Sequence, residues 1–173
     1  MMDIENFKKV FEDSKFSKNK TEAFDKSHDE FDQIYKAFEK RMIALSKVKY
    51  VRIILIYSGH GVTHKPNGKH TPLIHMVHHD SDCVEKCTNI EDRCIRLGIM
   101  QNILVFAIFD CCRKVLDVES KGSIISSPGL YCLGYACQLN KVAISTDRGS
   151  RYTNDILDRI AEKKEKNGNV VLP

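Results

Sequence analysis

Two short segments carry the residue types that covalent chemistry needs: Ser58-Gly59-His60-Gly61 and Asp110-Cys111-Cys112-Arg113. A free thiol ionises at about pH 8.5, so attack on a peptide carbonyl at neutral pH needs an imidazole beside it. The imidazole first favours the thiolate and later protonates the leaving amine. Consecutive residues at an extended strand end point to opposite sides, so only one of Cys111 and Cys112 can face His60. Gly59 and Gly61 leave out the Cβ atoms that would obstruct a substrate backbone approaching His60. The N–H of Gly61, with that of Cys112, is a candidate donor to a developing oxyanion.

A second group, His75, His78, His79, Cys83, Cys87 and Cys94, crowds into 20 positions and offers zinc-type ligands in a spacing that matches no firm pattern. The competing assignment is a solvated histidine-rich loop with Cys94 on the core face of a helix.

The first two segments each follow a short apolar run, Val51 to Tyr57 and Ile103 to Phe109, of the kind buried on both faces of a parallel sheet. Ligands bind beyond the carboxyl ends of such strands, where His60 and Cys112 would sit. Apolar residues at helical spacing predict helices around Ile4 to Phe11 and Phe31 to Leu45, separated by a polar stretch. Thr63 to Cys83 reads as a loop with one short strand near Leu73-Ile74. Thr88-Asn89-Ile90-Glu91 reads as a capping box opening a helix through Cys94, Leu97 and Met100. Weaker strand candidates, Leu130 to Ala136 and Val142 to Ser145, precede a helix carrying Ile156, Leu157 and Ile160. Alternating strands and helices predict an α/β fold, an open and mostly parallel sheet covered on both faces.

At 173 residues and 42% hydrophobic content, one folded unit over 1–173 is expected. The net charge is +4, with 27 basic residues spread among 23 acidic ones, so nucleic acid is not an expected partner. No run approaches the roughly 18 apolar residues that span a bilayer, and Met1-Met2-Asp3-Ile4-Glu5 lacks the features of a signal peptide. No membrane association and a cytoplasmic location are therefore expected. Seven cysteines without an export signal fit thiols or metal ligands better than a disulfide framework.

Tyr57-Ser58-Gly59-His60-Gly61 resembles the histidine motif of the caspase, metacaspase and paracaspase superfamily, and Asp110-Cys111-Cys112-Arg113 resembles its cysteine motif. Cys112 follows His60 by 52 positions, near the roughly 50 expected of caspases. Tyr135-Ala136-Cys137, Lys141-Val142-Ala143 and Gly149-Ser150-Arg151-Tyr152-Thr153 resemble the last strands and closing helix, so the similarity runs over about residues 3 to 160. It implies a three-layer α/β/α fold and a cysteine-type endopeptidase acting on protein or peptide substrates. Cys112 would be its nucleophile, His60 its base and Gly61 an oxyanion donor, with no metal or cofactor.

Asp110 in place of the Gln of Gln-Ala-Cys-Arg-Gly resembles metacaspases, where that acid lines a pocket for Arg or Lys; Ser145 stands where a second pocket acid is common. The family's first strand should precede the helix beginning near Asp3. The resemblance therefore predicts an N-terminally truncated domain lacking that strand. Two other functions stay open, a catalytically silent scaffold on the same fold and a zinc-binding module.

Overall fold

The computed structural model describes residues 23, 26–66, 73–77, 87–120, 128–146 and 149–167. The apolar period over residues 31–45 forms helix α1, His28–Ser46. Its N-terminus closes as a capping box: the Ser27 hydroxyl accepts from the Glu30 N–H at 3.3 Å, while the Glu30 carboxylate accepts from the Ser27 N–H at 3.1 Å. Tyr35 and Met42 enter the core, with Phe31, Phe38 and Leu45 packed against it. The earlier helix expected around Ile4 to Phe11 lies outside the described residues.

The two apolar runs form β1, Val51–Ser58, and β5, Ile103–Asp110. They pair in parallel with each other, and β5 pairs in parallel with β7, Tyr131–Tyr135, in a three-stranded sheet ordered β1-β5-β7. Central β5 buries Ile103, Val105, Ala107, Ile108 and Phe109, each worth roughly 1.5–3 kcal/mol for a large side chain taken out of water. β1 is less enclosed than expected, because it is one of the two outer strands of the sheet: only Val51 and Ile53 are buried and Arg52 is exposed. Asn102 makes the turn into β5 with a left-handed φ of 63° that Asn tolerates, and its side chain donates to the Ser46 carbonyl at 3.1 Å.

A second, four-stranded sheet is ordered β4-β3-β2-β6, from β2 Gly61–Pro66, β3 Leu73–Met76, β4 Thr88–Asn89 and β6 Lys114–Ser120. β2 runs parallel to β6 and antiparallel to β3. The loop expected from Thr63 is thus corrected at its start, where Thr63 is fully buried in β2. β6 has no counterpart among the strands expected from the sequence.

Helix α2, Ile90–Gly98, begins at Asn89, whose side chain accepts from the Asp92 N–H at 3.0 Å. The expected capping box at Thr88 does not form, since Thr88 belongs to β4 and Glu91 is used elsewhere.

These elements belong to one compact unit, Ala23–Val142; a second unit holds the described residues 143–146 and 149–167. In the second, β8 Ser145–Thr146 pairs antiparallel with β9 Gly149–Ser150, and α3, Arg151–Asn167, buries Thr153, Leu157 and Ile160. The strand expected over Val142 to Ser145 is corrected to irregular chain as far as Ile144, with Val142 and Ile144 exposed. A mixed α/β fold with a parallel sheet stands as expected. No helix among the described residues is long and apolar enough to cross a membrane.

Candidate active site

Both candidate segments sit where the chain passes from one sheet of the larger unit to the other. β1 ends at Ser58 and β2 begins at Gly61; β5 ends at Asp110 and β6 begins at Lys114. Before the gap Ser58 pairs with Asp110, and after it Val62 pairs with Lys114. Both pairs differ by 52 (110 less 58, 114 less 62), and so do His60 and Cys112. Residues 60 and 112 are each the middle residue of the stretches 59–61 and 111–113 left between the two pairings, because the two passages leave and rejoin pairing in one register. The Gly59 N–H crosses to the Asp110 carbonyl at 3.2 Å and fastens them together.

The histidine turn is held through its main chain. The His60 carbonyl accepts from the Val77 N–H at 3.0 Å and from the Tyr57 hydroxyl, while its side chain lies at an exposed position. Burial pushes the Tyr57 phenol above its ordinary ionisation range, so the hydroxyl stays a donor. The glycines on either side have structural reasons beyond substrate access. A Cβ at Gly61 would lie 2.6 Å from Cys111 Sγ and 2.9 Å from the Cys112 carbonyl oxygen; one at Gly59 would lie 3.0 Å from the Tyr57 hydroxyl. Only a residue without a side chain lets β2 start flush against the cysteine turn.

The neighbouring cysteines differ sharply in environment. Cys111 is 1% exposed, and burial pushes its thiol up to about 12, well outside the reactive range. Cys112 is half-buried and reachable. The loop after β7 wraps the turn: Arg113 donates its N–H to the Lys141 carbonyl at 3.0 Å, and its carbonyl accepts from the Asn140 N–H at 2.9 Å. From the same loop, Cys137 Sγ donates to the Cys111 carbonyl at 3.5 Å and to the Lys141 carbonyl at 3.3 Å.

Beneath the cysteine turn lies a polar chain that the sequence does not reveal. The Arg113 guanidinium sits 4.0 Å over the Tyr135 ring, an arrangement worth about 0.5–2 kcal/mol. The Tyr135 hydroxyl donates to Glu91 Oε1 at 2.7 Å, and Glu91 Oε2 accepts from the Ile74 N–H at 2.8 Å. Burial raises the Glu91 carboxyl above its ordinary value, against the opposing pull of Tyr135, Ile74 and the Arg113 charge. Glu91 reads as a helix-cap residue in sequence; its partners are 17 and 44 positions away, beyond any local pattern.

Asp110 ends β5 and is 4% exposed; Ser145 opens β8 in the other unit. Of the zinc-type residues, Cys94 is fully buried in the core, with its thiol raised by that burial. His75 lies in β3 opposite Val62, and Cys87 is half-buried. His78, His79 and Cys83 lie outside the described residues. Among the described residues no group of three or more His, Cys, Asp or Glu is placed to hold a metal, and no disulfide links the six cysteines.

The caspase-domain profile matches residues 1–172. The chain belongs to the caspase domain family. A search of curated proteins returns no match.

Proposed function

We propose that this domain is a cysteine endopeptidase in which Cys112 is the nucleophile and His60 the base. The observation that carries the reading is the shared register, with a pairing offset of 52 on both sides of the gap that residues 60 and 112 occupy. Burial of Cys111 leaves Cys112 the reactive thiol of the pair. His60 assists formation of the thiolate, Cys112 attacks the substrate carbonyl, and the Gly61 and Cys112 N–H groups receive the oxyanion. His60 then protonates the leaving amine, and water resolves the acyl-enzyme.

Asp110 supports cleavage after Arg or Lys and a metacaspase-like branch of the family. A desolvated carboxylate near the nucleophile attracts a guanidinium and repels the carboxylate of an Asp substrate.

A thiol-reactive substrate mimic should label Cys112, and Cys112→Ala should abolish labelling while Cys111→Ala keeps most of it. The reverse result, or no labelling of a folded chain, would favour a silent scaffold. In a peptide panel varying only the residue before the scissile bond, Arg should outrun Asp. Asp110→Asn should cut that preference by about tenfold, the worth of roughly 1.4 kcal/mol. An unchanged profile would remove Asp110 from the pocket without touching the Cys112 assignment.

A further inference from the structure

We propose that Cys137 is a resolving thiol for Cys112, so that a hydroperoxide converts the two into a reversible disulfide that switches the nucleophile off. The inference rests on Cys112 being the reactive thiol, and adds a second sulfur to that site. Pairing of β5 with β7 runs one residue past the last ladder pair, Phe109 with Tyr135, because the Ala136 N–H donates to the Phe109 carbonyl at 3.0 Å. The next residue, Cys137, thereby comes alongside the cysteine turn. Its sulfur lies 3.5 Å from the carbonyl oxygen of the peptide linking Cys111 to Cys112. The backbone bonds of Arg113 to Asn140 and Lys141 hold the loop in that place.

Placement beside the cysteine turn and accessibility together select the pair. Cys112 and Cys137 are both half-buried, whereas Cys111 is 1% exposed with its sulfur against Gly61, and Cys94 is sealed in the core. The reaction balances in two steps. The Cys112 thiolate takes the terminal oxygen of the peroxide, breaking the O–O bond and becoming a sulfenic acid, with water or an alcohol released. The Cys137 sulfur then attacks the Cys112 sulfur, forms the S–S bond and expels the hydroxyl as water. Two thiols have lost two electrons to the peroxide, and an external dithiol returns them.

The test uses the full chain treated with hydrogen peroxide, alkylated, digested and mapped by tandem mass spectrometry. A peptide joining Cys112 to Cys137 should appear, and reduction with dithiothreitol should restore nearly all labelling of Cys112 by the substrate mimic. In Cys137→Ser the joined peptide should be lost, Cys112 should proceed to sulfinic acid, and reduction should restore little labelling. A link from Cys137 to Cys111 instead, no link in the wild-type chain, or equal recovery in Cys137→Ser would overturn the proposal. The mapping needs no peptide turnover. A Cys112–Cys137 link in a chain that cleaves nothing would therefore refute the peptidase and keep the switch, while turnover without the link would do the opposite.

Discussion

The turn after β1 and the turn after β5 lie side by side, yet they are held in place by different means. The first carries His60 at an exposed position and is fixed by hydrogen bonds to its main-chain carbonyl. The second shares main-chain bonds from Arg113 to Asn140 and Lys141 but is fixed by its side chains as well, with the Cys111 thiol packed against Gly61 and the Arg113 guanidinium over Tyr135, which in turn bonds Glu91. On the proposed function, replacing the imidazole in the first turn should touch chemistry alone, whereas a side-chain change in the second should touch chemistry and stability together.

The sharpest way to break this contrast is His60→Ala. It should lower kcat/KM for a peptide substrate by roughly 10²–10⁴, the usual contribution of a positioned acid–base group, and leave the thermal melt unchanged. A large drop in melting temperature would show the imidazole to be structural and erase the difference between the turns.

Gly61→Ala probes the seam where the turns meet. Its Cβ would be forced to 2.6 Å from Cys111 Sγ, so a loss of about 1–3 kcal/mol in denaturant unfolding is expected, typical of overpacking. A variant as stable as the wild-type chain would mean that β2 is free to move away from the cysteine turn.

The smallest effect is a pH slope. Glu91 has an ordinary value of 4.5 that burial raises in the folded state, so its favourable contribution is complete below that value. It is lost as pH rises through the folded value, because the unfolded chain ionises first. Glu91→Gln keeps the shape and removes the titration, so from about pH 4.5 upward its stability should fall less steeply than that of the wild-type chain. Parallel curves would remove Glu91 as a titrating support of the second turn.

Much of the three-stranded sheet is legible in the amino-acid sequence. The runs at 51–57 and 103–109 are long, β-branched and bounded by Gly or Asp, and α1 has an unbroken apolar period and α3 one as far as Ile160, so local pattern and tertiary burial agree. The second sheet is not legible in the same way. Val62, Thr63 and His64 have no apolar alternation, and Thr63 is buried only because β6 and β3 flank it. Val142 and Ile144 mislead in the other direction, being β-branched and yet exposed. In the site, His60 and Cys112 announce themselves by type and position, while the supporting Glu91 and Tyr135 are joined only through contacts 44 residues apart.

The shared register also changes what the 52-residue spacing means. Alignment of the two passages is enforced locally, by Ser58 opposite Asp110 on one side of the gap and Val62 opposite Lys114 on the other. The number of residues between the passages does not enter that constraint, and a loop of different length leaves it intact at a closure cost of about 0.6 kcal/mol per doubling. Insertions and deletions in the loops that join the intervening elements are therefore expected to be tolerated where a shift of one residue within either passage is not, so homologous chains should conserve the pairing while their counts drift.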